Sequence, residues 1–337
     1  MVKKLISVLN GEPASVPPIW LMRQAGRYLP EYRALRAKAP DFVQFCLNPE
    51  LAAEVTLQPV RRFQLDAAIL FADILLIPHA LGQKLWFAEG EGPRLEPLRD
   101  GHDIAALQYD GEKLAPVMQT IRGVRSALGN DTALIGFAGA PWTVATYMLE
   151  GRGGTDHETI RRWAWAEPES FARLMDVLVE ATSAYLIAQA DAGAEALQLF
   201  ESWAGTVPAG LFERAVLAPT ARIVAAVKAT HPAVPIIGFP RGAGSWLSRY
   251  ARATKVRGVG VDQMTDLATL ALPPQVARQG NLDPVLLLQG GEAMRAEGKR
   301  LVAAMRGKPF IFNLGHGVMQ PTPPEHVADL VTAVRGL

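Results

Sequence analysis

The sequence contains a single cysteine, Cys46, among its 337 residues. One thiol excludes an internal disulfide and argues against a metal site built from cysteines, and it fits a reducing cytosol. No apolar stretch approaches the ~20 residues that span a bilayer, and the polar N-terminus does not predict a signal peptide. We therefore expect a cytoplasmic protein with neither a membrane segment nor a metal centre.

An excess of one charge sign is also missing, because the formal net charge at pH 7 is only +1. Nucleic acid is not an expected partner, since the chains that bind it carry a broad basic field. No Gly-x-Gly-x-x-Gly turn follows the first apolar run, which argues against a dinucleotide site. Any anionic ligand must then be held by local arginines.

What the sequence does contain is a repeated alternation of short apolar runs with longer amphipathic stretches, as is typical of βα units. The predicted strands are residues 18–22, 67–71, 133–137, 196–200, 235–239, 258–261, 276–281 and 309–313. The predicted helices include residues 49–63, 112–128, 168–192, 212–230, 244–255 and 290–305.

Eight strands joined by helices predict one (β/α)8 TIM barrel domain over residues 1–337, with its site at the C-terminal ends of the strands. A doubly wound open sheet is the alternative, and the missing glycine-rich turn argues against it. The connection at 81–99 is irregular and carries Trp86, Phe87 and Gly90. We expect it to form a hairpin that serves as a lid or a subunit contact.

Arginines cluster after the first predicted strand, which stops at Arg23 and is followed by Arg27, Arg33 and Arg36. Arginine holds carboxylates and phosphates in a bidentate manner, and a short turn of small residues separates the first two. A solvated surface turn is the alternative for each arginine taken singly. The cluster as a whole predicts an anion site.

Polar residues close several other predicted strands and, in a barrel, would face one opening together with phenylalanines. They predict a pocket for a large, partly apolar polyanion. Asp73 has an alternative role as a helix N-cap, Tyr147 as ordinary helix packing, and Glu201 as a structural carboxylate that neutralises an arginine. These residues are Asp73, Tyr147, Glu201, Ser202, Arg241 and His316.

The segment at 22–33, Met-Arg-Gln-Ala-Gly-Arg-Tyr-Leu-Pro-Glu-Tyr-Arg, resembles the signature of the uroporphyrinogen decarboxylase family. Further motifs of that family are similar in the same order along the whole chain. The resemblance implies a cofactor-independent carboxy-lyase that converts the four acetate side chains of uroporphyrinogen III to methyl groups. The product would be coproporphyrinogen III, for haem and related tetrapyrroles, and the enzyme would be a barrel homodimer. The further motifs lie at 71–75, 136–143, 198–205, 279–284 and 313–317.

The resemblance also implies roles for individual residues. Asp73, Arg23 and Tyr147 would be catalytic, with Asp73 at the pyrrole nitrogens, where a carboxylate stabilises the cationic ring that forms during decarboxylation. Arg23 and Arg27 would hold carboxylates deep in the pocket, and Arg36 one nearer the rim. The substrate-binding residues would be Arg23, Gln24, Ala25, Gly26, Arg27, Arg36, Asp73, Tyr147, Ser202 and His316.

Two other functions remain open at this point. A corrinoid-linked methyltransferase would need a thiol and zinc ligands, and Cys46 lies far from the strand-end motifs. A non-catalytic tetrapyrrole-binding protein would keep the arginines but would have no need of Asp73. A turnover assay separates the latter from an enzyme.

Overall fold

The computed structural model describes residues 2–88 and 92–336 as an α/β fold. Its strands are β1 (Ala67–Ile69), β2 (Leu85–Ala88), β3 (Gly92–Leu95), β4 (Ala133–Gly139), β5 (Ala196–Glu201), β6 (Ile236–Pro240), β7 (Gly258–Gly260), β8 (Ala277–Leu282) and β9 (Phe310–Leu314). Its α-helices are α1 (Lys4–Leu9), α2 (Pro30–Arg36), α3 (Phe42–Cys46), α4 (Pro49–Phe63), α5 (Leu76–Ala80), α6 (Gly101–Ala105), α7 (Ala115–Ala127), α8 (Pro141–Glu150), α9 (Glu158–Ala166), α10 (Pro168–Asp191), α11 (Ala209–Phe212), α12 (Ala218–Thr230), α13 (Leu247–Thr254), α14 (Pro284–Gln289), α15 (Gly291–Ala304) and α16 (Pro324–Arg335). Short 3-10 turns lie at Gly111–Leu114, Ala204–Thr206 and Gly244–Trp246, and a π-helical turn at Glu213–Leu217.

Seven of the strands form one parallel sheet in the order β1-β4-β5-β6-β7-β8-β9. They confirm the predicted runs from residue 67 onward, with bounds close to those expected. Every residue of β4 is buried, as expected for a parallel strand that is covered on both faces. Consecutive strands are neighbours throughout, so the topology is that of repeated βα units.

The prediction of a regular strand at 18–22 is wrong. The segment forms a single parallel bridge, between Ile19 and Phe312 of β9. Pro17 and Pro18 have no N–H to donate, and the chain turns soon afterwards, where the Gln24 N–H donates to the Leu21 carbonyl at 2.9 Å. Too few donors and too little length remain for a ladder, so the parallel sheet has seven strands and not the eight expected.

The sheet is curled, because side chains from separated strands meet inside it. Trp20 Nε1 donates to Gln279 Oε1 of β8 at 3.1 Å. Gln279 Nε2 in turn donates to Gln198 Oε1 of β5 at 2.9 Å. Two strands lie between β5 and β8 in the sheet order, so only strong curvature allows this contact. The curl brings the turns that follow the strands close to one another.

The helices follow from their caps and their apolar faces. In α4, which confirms the predicted helix at 49–63, the Asn48 side chain accepts from the Leu51 N–H at 3.0 Å, and Pro49 takes the first turn. The helix predicted at 212–230 instead contains the π turn, just before Pro219, which cannot donate to the helical ladder. Within the described residues, no helix combines the length and apolarity needed to cross a bilayer.

The irregular connection at 81–99 contains the antiparallel pair β2 and β3, which confirms the expected hairpin. Phe87 packs against Phe42 with ring centroids 4.7 Å apart, whereas Trp86 is 42% exposed. Gly90 lies outside the described residues. A role for the hairpin as a lid or a subunit contact stays a prediction.

Candidate active site

The carboxyl ends of the parallel strands and the turns that follow them form one opening, which we call the mouth. Arg23 lies there with an exposed side chain and a backbone φ of +60°, a left-handed conformation that is uncommon for a residue with a Cβ. A Cβ added to Gly317 would lie 2.3 Å from Arg23 Cδ. Glycine at 317 therefore makes room for the Arg23 side chain.

The side chain of Gln24 is used within the fold, and a role for this residue in substrate binding stays a prediction. It is fully buried, its Oε1 accepts from the Leu21 N–H at 3.0 Å and its Nε2 donates to the Ala67 carbonyl at 3.1 Å. Its backbone N–H donates to the Leu21 carbonyl, and its backbone carbonyl accepts from Tyr28 Oη at 2.8 Å. Gln24 thus anchors the turn to β1.

Ala25 and Gly26, which are half-buried, follow Gln24 on the turn. Neither uses its backbone N–H in a hydrogen bond to any of residues 2–88 or 92–336. Successive N–H groups in such a turn form a small anion-binding concavity. The backbone of this turn is thus suited to a carboxylate in a way that the Gln24 side chain is not.

The four arginines of the first cluster divide into two kinds. Arg27 is exposed, like Arg23, and its side chain makes no ion pair within the described ranges. Arg33 instead donates to the Arg27 carbonyl at 2.7 Å and so stabilises the turn. Arg36 is half-buried, donates to the Ala39 carbonyl at 3.0 Å and lies 5.8 Å above the Phe45 ring. The order of exposure is therefore the reverse of the expected depth order, because Arg36 folds back onto the Ala39 carbonyl just beyond α2.

Asp73 follows β1 and uses one carboxylate oxygen in the fold. Its Oδ1 accepts from the Leu75 N–H at 2.8 Å, so the capping role considered for it is partly present. Its Oδ2 has no hydrogen-bond partner in the part of the chain that the structure describes. Burial raises the pKa of Asp73, and the Leu75 hydrogen bond and the charge of Arg23 oppose this rise. One oxygen thus remains for a ligand.

Tyr147 of α8 is held in a stack of rings. Its ring centroid lies 4.4 Å from that of Trp203. The Trp203 ring centroid in turn lies 4.7 Å from that of His157. Burial, reinforced by the charge of Asp73, raises the pKa of Tyr147 to about 12. The phenol therefore stays protonated at neutral pH and is available as a hydrogen-bond donor.

His316 lies between two glycines after β9, with its ring stacked on Phe239 at a centroid distance of 6.5 Å. Burial, together with the charges of Arg23 and Arg241, lowers the pKa of His316 to about 4. The imidazole is therefore neutral at pH 7. Ser202 is half-buried beyond β5, and its hydroxyl has no partner among the described residues.

Glu201 is a structural carboxylate, but its partner is a helix and not an arginine. It is fully buried and accepts from the Trp142 N–H at 3.2 Å, from the Thr143 N–H at 2.7 Å and from the Thr143 hydroxyl. These groups begin α8, where the helix dipole favours a negative charge. Burial nevertheless raises the pKa of Glu201 to about 7.

The sequence has extensive similarity to known proteins. A family model described as uroporphyrinogen decarboxylase (URO-D) matches residues 2–337. A uroporphyrinogen decarboxylase of Rhodospirillum rubrum is 52% identical over 337 residues, which cover 99% of this chain and 97% of that relative. One of Granulibacter bethesdensis is 53% identical over 342 residues and 99% of each chain. The chain belongs to the uroporphyrinogen decarboxylase family.

Family membership confirms the resemblance drawn from the motifs, whereas solved structures add only the fold. A methyltransferase from Methanosarcina mazei superposes with a TM-score of 0.80 at 20% identity, over 98% of this chain and 97% of that one. A putative vitamin-B12-independent methionine synthase from Listeria monocytogenes gives 0.56 at 15% identity, over 97% and 96%. Such distant likeness does not favour the methyltransferase alternative. Within residues 2–88 and 92–336, no three His, Cys, Asp or Glu side chains group as metal ligands.

Two features of this uroporphyrinogen decarboxylase family member were missed at the sequence level. The first is the stack of Trp203 on Tyr147. Its only indication in the sequence is that an aromatic residue, Trp203, directly follows the mouth residue Ser202. The second is the contact of His157 with Trp203, which depends on the loop geometry and on a φ of +55° at His157. No local pattern in the sequence indicates such a contact.

Proposed function

We propose that the chain removes carbon dioxide from the four acetate side chains of uroporphyrinogen III and so produces coproporphyrinogen III. Family membership over the whole chain supports the reaction. The single observation that carries the chemistry is Asp73, a half-buried carboxyl group with one oxygen unused, near Arg23 and Tyr147. A carboxylate in such surroundings suits a ligand that has N–H donors and develops positive charge.

The reaction needs a place for two electrons. When an acetate loses carbon dioxide, the electron pair of the broken C–C bond must be accepted, and a pyrrole protonated on its ring carbon accepts it. That protonated ring is a cation. The ionised Asp73, placed at the pyrrole N–H groups, stabilises the cation as it forms, which is preorganised electrostatic catalysis.

The arginines of the mouth supply the remaining recognition. Arg23 and Arg27, exposed and without an ion pair in the described ranges, are suited to bidentate binding of substrate carboxylates. The free N–H groups of Ala25 and Gly26 add donors beside them. Arg36, held by the Ala39 carbonyl, has donors left over for a further carboxylate.

Neutral donors complete the proposed site. Tyr147 stays protonated at neutral pH and donates through its hydroxyl, while Ser202 and the neutral imidazole of His316 can donate or accept. None of them adds a net charge. They orient the substrate without competing with the arginines for its carboxylates.

The direct test is turnover by the purified protein. Uroporphyrinogen III is incubated with the enzyme without oxygen, with no metal or cofactor added, and the products are oxidised and separated by chromatography. We expect stepwise loss of four carboxyl groups, unchanged when a chelator is present. Binding without turnover would instead favour a non-catalytic tetrapyrrole-binding protein, and activity that a chelator abolishes and zinc restores would contradict the cofactor-independent reaction.

The closed barrel is also part of this proposal. The segment at 18–22 lies between the two sheet edges, since Ile19 bridges Phe312 on one side and its carbonyl accepts from the Asp66 N–H at 2.9 Å on the other. We propose that it takes the eighth position of a (β/α)8 barrel. Slow hydrogen exchange of the Asp66 and Phe312 amides in solution would support closure, and fast exchange of both would contradict it.

We further propose that residues 1–337 form one domain, that the enzyme is a homodimer, and that it acts in the cytoplasm. Contacts between distant parts of the chain support one domain, for example Lys3 with Glu195 at 2.7 Å and Arg335 with Asp66 at 3.2 Å. One domain predicts a single unfolding transition in calorimetry. A homodimer predicts twice the mass of the chain in light scattering during size exclusion, and cell fractionation tests the location.

A further inference from the structure

Arg241 enters the mouth on the side away from Arg23. It directly follows β6, which is the central strand of the seven, three positions from each edge of the sheet. The segment that leads to Arg23 lies beside the two edges, at Phe312 and at Asp66. In a curled sheet, the central strand faces the two edges, so the two arginines begin from opposite sides of the same opening.

The backbone that carries Arg241 is firmly held. Its N–H lies 3.1 Å from the carbonyls of both Glu201 and Phe239, and its own carbonyl accepts from the Gly205 N–H at 2.9 Å. A Cβ on Gly205 would lie 2.8 Å from the Gly242 carbonyl oxygen, so the two turns touch through their backbones. A fixed backbone reduces the ordering that ligand binding requires of the side chain.

The guanidinium of Arg241 forms no ion pair in the described ranges, although the buried Asp262 carboxylate accepts from the neighbouring Gly242 N–H at 2.6 Å. The Arg241 side chain is half-buried and makes no hydrogen bond there. Arg249, a short distance along the same chain, is by contrast paired with Glu213 at 2.6 Å. Arg241 also lies close enough to His316 for its charge to lower the pKa of that imidazole. A half-buried guanidinium with no ion pair of its own is suited to an anionic ligand.

We propose that Arg241 binds a propionate carboxylate of the tetrapyrrole, across the pocket from the carboxylates held by Arg23 and Arg27. This inference rests on the proposed function and adds a binding residue to it. A porphyrinogen carries carboxylates around its whole rim, so a cluster of arginines on one side leaves the far side without a partner. The acetates disappear one by one during the reaction, whereas the propionates are present in every intermediate. A propionate is therefore the carboxylate that a fixed guanidinium can hold in all four steps.

The test compares Arg241→Gln and Arg241→Lys with Arg252→Gln, which removes the same charge from an exposed position on α13. Without oxygen, binding is measured as a dissociation constant for coproporphyrinogen, which carries propionates only, and as kcat/KM for uroporphyrinogen, which carries acetates and propionates and is consumed by the enzyme. We expect Arg241→Gln to weaken binding of both by about tenfold, as for the loss of one charged hydrogen-bonded pair. Arg241→Lys should weaken binding less, because it keeps the charge, and Arg252→Gln should bind like the parent.

A second measurement does not depend on the ligand. The His316 imidazole is titrated by NMR in the free parent and in Arg241→Gln, and we expect its pKa to rise when the neighbouring guanidinium is removed. Circular dichroism and the thermal midpoint establish that each variant is folded. A rise in the His316 pKa would support the proposed position of Arg241 in the mouth, and no change would contradict it.

The outcomes separate this inference from the proposed function. A parent that converts uroporphyrinogen, with an Arg241→Gln variant that binds both ligands as tightly, overturns the role of Arg241 alone. Weaker binding of uroporphyrinogen only would overturn the propionate assignment in favour of an acetate. A parent that binds coproporphyrinogen but does not decarboxylate uroporphyrinogen contradicts the proposed function and leaves the comparison for Arg241 decisive.

Discussion

The two ends of the parallel sheet differ in how their charged side chains are paired. At the amino end, Asp66 pairs with Lys4 at 3.3 Å and with Arg335 at 3.2 Å. Glu195, also at that end, pairs with Lys3 and Arg125. At the carboxyl end, no arginine of the mouth has an ion pair within the described ranges, and Asp73 keeps one oxygen without a partner. The unpaired arginines are Arg23, Arg27 and Arg241.

This difference separates stability from function within one fold. Ion pairs at the amino end are complete once the chain has folded, so they stabilise the sheet and leave nothing for a ligand. Charges at the carboxyl end have no ion-pair partners within the described residues, which suits the polyanion with N–H donors that we propose as the ligand. In parallel α/β folds, chemistry collects at the carboxyl ends of the strands. Here the pairing of charges alone identifies that end.

Removing the carboxylate at the carboxyl end should have the largest effect on activity. We expect Asp73→Asn to lower kcat by at least about 100-fold, since an amide cannot stabilise a developing cation, at a cost of about 3 kcal/mol. Steady-state kinetics with uroporphyrinogen measures this. Turnover within threefold of the parent would reduce Asp73 to its hydrogen bond with the Leu75 N–H.

The same variant should not be less stable. Burial raises the pKa of Asp73 above 3.8, so between 3.8 and that higher pKa the folded state binds more protons than the unfolded state, and stability falls as pH rises through this window. Asp73→Asn removes this cost. Urea unfolding at pH 7 should therefore give an unfolding free energy equal to or above that of the parent, and a marked decrease would contradict the assignment.

Loss of either exposed arginine should have the next largest effect. We expect Arg23→Ala and Arg27→Ala each to lower kcat/KM by about 100-fold, because each leaves a substrate carboxylate without its charged donor. Arg36→Ala should act mainly on KM and by less, since Arg36 also serves the Ala39 carbonyl. Kinetics at two ionic strengths compares them, and equal losses in all three variants would contradict the division.

At the amino end the expected effect is on stability. In Asp66→Asn an amide replaces a carboxylate whose Oδ2 accepts from the Ile19 N–H at 2.9 Å and pairs with Arg335, and whose Oδ1 pairs with Lys4. The unfolding free energy should therefore fall by about 1–3 kcal/mol. Glu297→Gln, which breaks an exposed pair with Arg300, is the matched control and should change little. A loss of kcat in Asp66→Asn beyond about twofold would break the separation between the two ends.

The smallest effect concerns the charge of His316. Its pKa of about 4 lies below the usual 6.5, so between these values the unfolded state binds the proton and the folded state does not. Stability should therefore be lost as pH falls from 6.5 towards 4, less so in His316→Gln. NMR titration of the ring, assigned by its absence in His316→Gln, checks the value. A midpoint near 6.5 would contradict a neutral imidazole at the mouth.

Much of the fold could be predicted because apolar residues at buried positions recur with the spacing of helices and strands. The helix at 49–63 has the predicted bounds, and strands from residue 67 onward differ from prediction only at their ends. The prediction of a regular strand at 18–22 is wrong because it followed the apolar run alone. Pro17 and Pro18 lack the N–H donors that a ladder of hydrogen bonds needs.

The site was harder to predict than the fold, because no sequence pattern shows which way a side chain in a turn points. Gln24 stands between residues that face the mouth, yet its amide is buried in hydrogen bonds with Leu21 and Ala67. Arg36 belongs to the same cluster as Arg23 but meets the end of its own helix. Asp73 shows a further limit of prediction from the sequence. Capping and ligand binding were treated as alternatives, but Oδ1 caps the turn while Oδ2 stays available for a ligand.

The contact between Arg23 and Gly317 bears on how the protein is made. The guanidinium stem of Arg23 occupies the space that a side chain at 317 would fill, so the anion site joins a turn near the start of the sequence to one near its end. During synthesis on the ribosome, Arg23 emerges early and waits for nearly the whole chain to follow. Helices and inner strands can form in the meantime. The candidate site is therefore among the last parts of the fold to be assembled.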